Sequence, residues 1–370
     1  MILARILLIY FSLISLSIFA CAPMDISGSF GPPRNQDGLG WCAGFAFSDL
    51  LSHHTGVRVS AQDISISSIH EERVSLEHSI QTQEAEFVKL RRDCAPGGEA
   101  RRTISNWSEY CQSSLAMYPR MIRENRQMLA TAIRGSVEDS AVDPYMSYQA
   151  LLRKGGLCLE RDFPSDGFTG DADSNWWALL GYRTRAAALS ARYEDLNDDL
   201  RENNCQDAQG ILRDMIPHQQ LGNIIELLKR TRENLRPVII RNTACRNRSH
   251  LAQLRNLSLD TKYINNPADR VSAIQQLNRA LDQRHPAQVG VHFSFAMRVP
   301  SSDDRHAVLV VGRRPGPGGT CQYKIRNSWG TGCASYSSAV RATCSNGTVW
   351  VSQNDLARSL LNVSTMGPHR

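Results

Sequence analysis

Asn35-Gln36-Asp37-Gly38-Leu39-Gly40-Trp41-Cys42-Ala43-Gly44-Phe45-Ala46-Phe47 is the stretch of this chain from which the rest can be read. Cys42 is followed by Ala43, Phe45, Ala46, Phe47, Leu50 and Leu51, and then by Gly56. That is an apolar helix with a glycine stop, and it puts the thiol at a helix N-terminus. The positive end of a helix lowers a thiol's pKa, and the thiolate is the form that attacks a carbonyl. Gly38 and Gly40 predict an irregular turn into the helix.

Two segments far downstream supply what such a thiol needs. In Arg305-His306-Ala307-Val308-Leu309-Val310-Val311-Gly312, His306 opens a run of small and β-branched residues that predicts a buried strand. In Tyr323-Lys324-Ile325-Arg326-Asn327-Ser328-Trp329-Gly330-Thr331-Gly332, Asn327 ends a second strand and precedes a glycine-rich loop. A histidine at one strand start and an asparagine at a neighbouring strand end can share a hydrogen bond, with Trp329 near enough to shield it from water. A thiol, an imidazole and a carboxamide in this order provide a nucleophile, its base and a group that orients the base.

These segments resemble the papain-like cysteine peptidases of the C1 family. The Asn-Ser-Trp-Gly of that family stands unchanged at 327–330, and its histidine is followed, as here, by Ala-Val and an apolar strand ending in glycine. The family's oxyanion-holding glutamine lies six residues before the nucleophile, where this chain has Gln36. Two further stretches fit more loosely: 145–164 matches the family's second helix and its following loop, and 273–291 matches the helix and strand before the histidine. The resemblance implies an α+β, two-lobed fold. A helical left lobe carries Cys42, an antiparallel β right lobe carries His306 and Asn327, and the cleft lies between. It also implies Cys42, His306, Asn327 and Gln36 as catalytic residues, and Tyr145, Met146 and Ala307 as the lining of an apolar substrate pocket. The chain departs from the family at Leu39 and Ala43, where the family commonly has cysteine and tryptophan, and at Asp143-Pro144, where the family has a Gly-Gly pair whose backbone pairs with substrate. Proline there removes a donor.

The resemblance covers about 31–68, 142–168, 270–312 and 320–332, so the stretches at about 69–141 and 169–269 read as insertions. Both show helical spacing of apolar residues, with Pro96-Gly97-Gly98 as a turn inside the first. Relatives usually carry a long inhibitory segment before the catalytic glutamine. Here only 22–35 lie between the leader and Gln36, which suggests a bacterial-type enzyme without a prosegment, in which the 69–141 insertion caps the cleft or presents a partner surface, a remote structural role being the alternative.

Residues 1–21 read as an export signal: Arg5, then a hydrophobic run from Ile6 to Ala20 broken by serines. Its end, Leu16-Ser17-Ile18-Phe19-Ala20-Cys21, resembles a bacterial lipoprotein cleavage site with Cys21 as the lipidated residue, so a cell-envelope location with membrane attachment is expected and a periplasmic or secreted one is the alternative. The rest, 22–370, reads as one peptidase domain. Ten cysteines are present. With Cys21 lipidated and Cys42 catalytic, eight remain for disulfides, and eight allow 105 connectivities. The sequence-local pairs Cys94–Cys111 and Cys333–Cys344 are expected among them. Metal and cofactor are not expected, since His53, His54 and His292 show no ligand spacing with cysteines or acids. Net charge is +6 with acids and arginines interspersed, which gives no case for nucleic acid. The expected partner is a peptide or protein substrate. The expected reaction is endopeptidase hydrolysis through a thioester. An amidase or transpeptidase on the same machinery, or a binding protein that kept the fold, are the alternatives.

Overall fold

The computed structural model describes residues 21–36, 41–133, 144–154, 156–162, 165, 254, 256–300 and 305–368. In chain order these form β1 (Met24–Asp25), α1 (Cys42–Thr55), α2 (Ala61–Asp93), α3 (Glu99–Thr103), α4 (Trp107–Ile133), α5 (Pro144–Lys154), β2 (Leu257–Tyr263), α6 (Pro267–Asp282), β3 (Ala287–His292), β4 (Arg305–Pro315), β5 (Cys321–Arg326), α7 (Ser338–Arg341), β6 (Thr348–Ser352), α8 (Gln353–Ser359) and β7 (Leu360–Pro368). The fold is α+β. Helices dominate the described residues up to 154, and an antiparallel sheet occupies the rest in the order β2-β7-β3-β4-β5-β6, with β1 pairing with β4. The leader, the 37–40 turn, Asp143 and most of the second insertion lie outside the described residues.

Strand β4 sets the architecture. Its side chains alternate between two faces. Val308 and Val310 enter a core shared with β3, β5, β6 and α6, while Leu309 and Val311 enter a second core with Phe47, Leu50 and Leu51 of α1 and with Leu151 of α5. One continuous apolar strand buried on both faces therefore joins the helical and the strand-rich halves, which explains why its sequence shows no polar alternation. Helix α1 ends where the sequence predicts, on Gly56 in the left-handed conformation (φ 68°). Gly44 allows α2 to cross α1 closely, since a Cβ at this position would lie 2.0 Å from Ser65 Oγ and 2.9 Å from its Cα.

The stretch read as a first insertion contains a helical hairpin, α2 against α4, closed at its tip by the Cys94–Cys111 disulfide. Phe87 stacks on Tyr118 (6.3 Å) and Asn125 Nδ2 donates to Gln83 Oε1 (3.0 Å) along its length. The hairpin does not begin at 69. It prolongs a 33-residue helix that starts at Ala61, capped by Ser60, whose hydroxyl accepts from Asp63 N–H. The stretch expected to be helical up to about 269 is not helical near its end. Residues 257–263 form β2 and pair with β7 from Leu257↔Pro368 to Tyr263↔Asn362. The alternating pattern Leu257, Leu259, Thr261 against an edge of the sheet outweighs any helical reading there.

Cys21 departs from expectation. Its sulfur is bonded to Cys321 at the start of β5 (Cα–Cα 5.4 Å), and a sulfur in a disulfide cannot also carry a thioether-linked lipid. The pairing also changes the cysteine arithmetic, because nine cysteines then remain beside Cys42, an odd number. The expected Cys94–Cys111 and Cys333–Cys344 pairs both form. Among the described residues Cys42 is the free cysteine, and no helix is long and apolar enough to cross a membrane.

At the C-terminal end of α1, His53 and His54 meet His285 from the turn after α6, with ring centroids 4.7 to 6.0 Å apart. Phe30 stacks on His53, whose ring nitrogens lie 3.3 Å from Ser29 Oγ and 3.1 Å from the Arg284 carbonyl. Burial holds all three imidazoles below their ordinary value of 6.5, His54 down to about 3, with the neighbouring rings adding to the effect on His53 and His54. The folded protein thus keeps neutral rings that the unfolded chain would protonate. Their contribution to stability is fully present above about pH 6.5 and is lost as pH falls from there toward the folded values. The thermal midpoint should drop by several degrees between pH 7 and pH 5, and His54→Leu should remove much of that drop. Equal pH slopes for wild type and variant in thermal melts would count against it.

Candidate active site

Cys42 is the first residue of α1. The residue before it, Trp41, provides no side-chain cap, and in the first turn the Ala43 N–H bonds to the thiol. The thiol is buried (4 % exposed) among Ala43, Ala46 and Ala307, with Met146 of α5 packed against the group. Ala307 comes from β4, directly after His306, so the strand that packs on α1 also carries the imidazole, which is hydrogen-bonded to the thiol.

The electrostatics of the pair are reciprocal. Burial alone would push the Cys42 thiol up. The His306 imidazole, by its charge and a hydrogen bond, and the backbone N–H groups of Ala307 and Ala43 more than offset this and hold it below the ordinary 9.0. Burial would lower His306, but the Cys42 sulfur and the Asn327 carboxamide raise it above 6.5. Such a pair favours thiolate and imidazolium.

Asn327 follows β5, and β5 pairs with β4, so the strand-start histidine and the strand-end asparagine come together as the sequence suggests. His306 Nε2 lies 2.7 Å from Asn327 Oδ1. Since Oδ1 only accepts, Nε2 carries the hydrogen, and Nδ1 is the nitrogen left for the thiol. Oδ1 also accepts from the Ser328 N–H (2.7 Å), which fixes the carboxamide. Trp329 packs with its ring 5.1 Å from that of His306, and Phe293 packs against both rings, 5.2 Å from His306 and 5.6 Å from Trp329. Tyr336 backs Trp329 at 5.4 Å and donates to the Gly347 carbonyl (3.0 Å).

Gln36 is brought to the same place by pairing between its loop and the segment after Asn327. Its N–H donates to the Ser328 carbonyl (2.8 Å), Gly330 N–H donates to the Arg34 carbonyl (2.9 Å), and Asn35 bridges Trp329. The Ser328 hydroxyl donates to Gln36 Oε1, so the amide's NH2 end is its donor end. Sequence reading missed Ser328 in this role, although it sits inside the quoted motif. Nothing in a lone serine shows that it faces a residue 292 positions earlier.

Of the residues expected to line a substrate pocket, Met146 and Ala307 pack beside Cys42, whereas Tyr145 is 47 % exposed and stands outside that cluster. Pro144 is the first residue of α5, a position where a missing N–H costs the helix nothing. Among the described residues no group of histidines, cysteines and acids could hold a metal ion.

No family model matches this sequence, and no curated protein matches it. Solved structures with similar backbones include PepW from Lactobacillus rhamnosis HN001, 12 % identical, with a TM-score of 0.44 over 95 % of this chain and 83 % of that one. Another is the proform of Amb a 11, a cysteine protease and major ragweed pollen allergen, 10 % identical, with a TM-score of 0.39 over 94 % of this chain and 66 % of that one. A third is the bromelain protease from Ananas comosus in complex with the E64 inhibitor, 10 % identical, with a TM-score of 0.37 over 94 % and 99 % of the two chains.

Proposed function

We propose that this chain is an exported cysteine peptidase that hydrolyses peptide bonds through a thioester on Cys42. The observation that carries the reading is geometric: Cys42 opens α1 beside the β4 strand that carries His306, and His306 is bonded in turn to Asn327, an arrangement with which the direction of both pKa shifts agrees. In this mechanism the Cys42 thiolate attacks the carbonyl carbon, and the oxyanion is held by the Cys42 backbone N–H and the Gln36 amide. His306 gives its proton to the departing amine. Water then enters, His306 takes a proton from it, and the thioester is cleaved to the acid and the free thiol. Asn327 keeps the imidazole in the plane needed for both transfers. Met146 and Ala307 would supply an apolar wall for the substrate side chain next to the cleaved residue. Export is proposed from the hydrophobic leader and the disulfides, with no lipid on Cys21, whose sulfur is already used.

The test is incubation with a broad peptide library, with and without a thiol-directed epoxide. Internal cleavage that the epoxide abolishes is expected, and no cleavage of any peptide would sink the assignment. The rate should be bell-shaped in pH. It rises as the pair loses its first proton, below the ordinary 9.0 of a thiol because Cys42 is lowered, and falls as the raised His306 deprotonates above 6.5. A single rise centred near pH 9, that of an unassisted thiol, would refute the ion pair. Pro144 gives a second reading some weight, because it offers no N–H to align an extended substrate. Adding an amine acceptor to the same assay separates a transpeptidase, which would form a new amide, from a hydrolase.

A further inference from the structure

Asp49 lies two helical turns beyond Cys42 on α1, and its carboxylate is shared between two buried arginines from different parts of the chain. Oδ1 accepts from Arg34 Nη1 at 2.9 Å and Oδ2 accepts from Arg326 Nε at 2.7 Å. Arg34 is 1 % exposed and Arg326 4 %, so both charges sit away from water, paired with this carboxylate. Arg34 also donates to Ser48 Oγ and to the Val59 carbonyl (2.7 Å), and lies 3.4 Å from Glu160 Oε2. Arg326 donates to the Pro32 carbonyl (2.9 Å).

The placement of these arginines in the chain gives the arrangement its meaning. Arg34 stands two residues before Gln36, and Arg326 stands immediately before Asn327. The two segments are stitched to each other beyond the arginines by Gln36 N–H to Ser328 and Gly330 N–H to Arg34. We propose that Asp49 is a positioning residue that clamps the Gln36 loop and the Asn327 strand end onto the helix that carries Cys42. A charge-assisted bond in a dry site is short and directional, so one carboxylate with two arms fixes the oxyanion donor and the orienting amide relative to the nucleophile. An amide cannot replace it. Asparagine offers one acceptor oxygen, and its NH2 would face an arginine N–H, so one arm must break. The inference rests on the reading of Cys42 as a nucleophile, and its test separates the two.

Asp49→Asn and Asp49→Glu are compared with wild type in peptide turnover and in alkylation of Cys42 by iodoacetamide across pH. Alkylation reports the thiolate and needs no oxyanion donor. Asp49→Asn should lower kcat about tenfold or more with KM nearly constant, because a donor displaced by a fraction of an ångström stabilises the transition state poorly. Its alkylation profile should match wild type, and Asp49→Glu should recover part of the rate. A folded Asp49→Asn with wild-type kcat overturns the proposal, as does a parallel loss of turnover, alkylation and thermal midpoint. If wild type hydrolyses no peptide, the peptidase reading has failed by itself. Amide hydrogen exchange then decides the clamp. Gln36 and Gly330 should exchange about tenfold faster or more in Asp49→Asn while Tyr323 within β5 is unchanged, and equal rates at Gln36 and Gly330 would overturn it.

Discussion

Cys42→Ala and His306→Ala should each lower peptide hydrolysis by about 10³-fold or more while leaving the protein folded. The expectation follows from how little either side chain does for the fold. Cys42 fills a small space among alanines, and the cores on the two faces of β4 are built by other residues. Removing the sulfur removes the atom that bonds to the substrate. Removing the imidazole leaves a buried thiol whose pKa burial would push up, since the partner that lowers it is gone. The two losses should not add in the double variant, because each alone disables one unit. Circular dichroism and steady-state kinetics on the same preparations check this. Substantial turnover by folded Cys42→Ala would refute the assignment.

Gln36→Ala should cost about 10² to 10³ in kcat, the usual effect of losing one preorganised oxyanion donor. The loop itself should stay in place, since it is held by backbone bonds to Ser328 and Gly330 and by Arg34. The thiolate should survive too, because Cys42 is lowered by His306, Ala307 and Ala43 and not by Gln36. Alkylation of Cys42 at mildly acidic pH should therefore proceed at the wild-type rate while turnover collapses. Equal losses in both assays would mean that Gln36 supports the structure of the site and not the charge that develops on the substrate.

The core of the site was legible because its signals are local or adjacent in the fold. A thiol before an apolar run ending in glycine marks a helix start, and two apolar runs, one opening at His306 and one ending at Asn327, mark neighbouring strands. The structure brings His306 and Asn327 together through the strand pairing those runs imply, and Gln36 joins them through a bond to Ser328 that they do not. The hairpin turn and the Cys94–Cys111 staple were legible for the same reason, since the cysteines lie 17 residues apart across a Pro-Gly-Gly turn. Boundaries were less so. A helix that extends unbroken from Ala61 to Asp93 has no punctuation at 69, and β2 is a strand because β7, far downstream, offers it an edge.

The sequence by itself determined which groups make up the proposed site, their order along the chain, and that the first of them starts a helix. Tertiary structure alone decided what holds those groups in register. Cys21 pairs with a cysteine 300 residues away, Ser328 orients an amide 292 residues before it, and Asp49 reaches an arginine 277 residues after it. A cysteine next to a leader, a serine in a loop and an aspartate on a helix each have several stable uses. Their partners come close only after the sheet has formed, and the short range of a hydrogen bond then selects one of those uses.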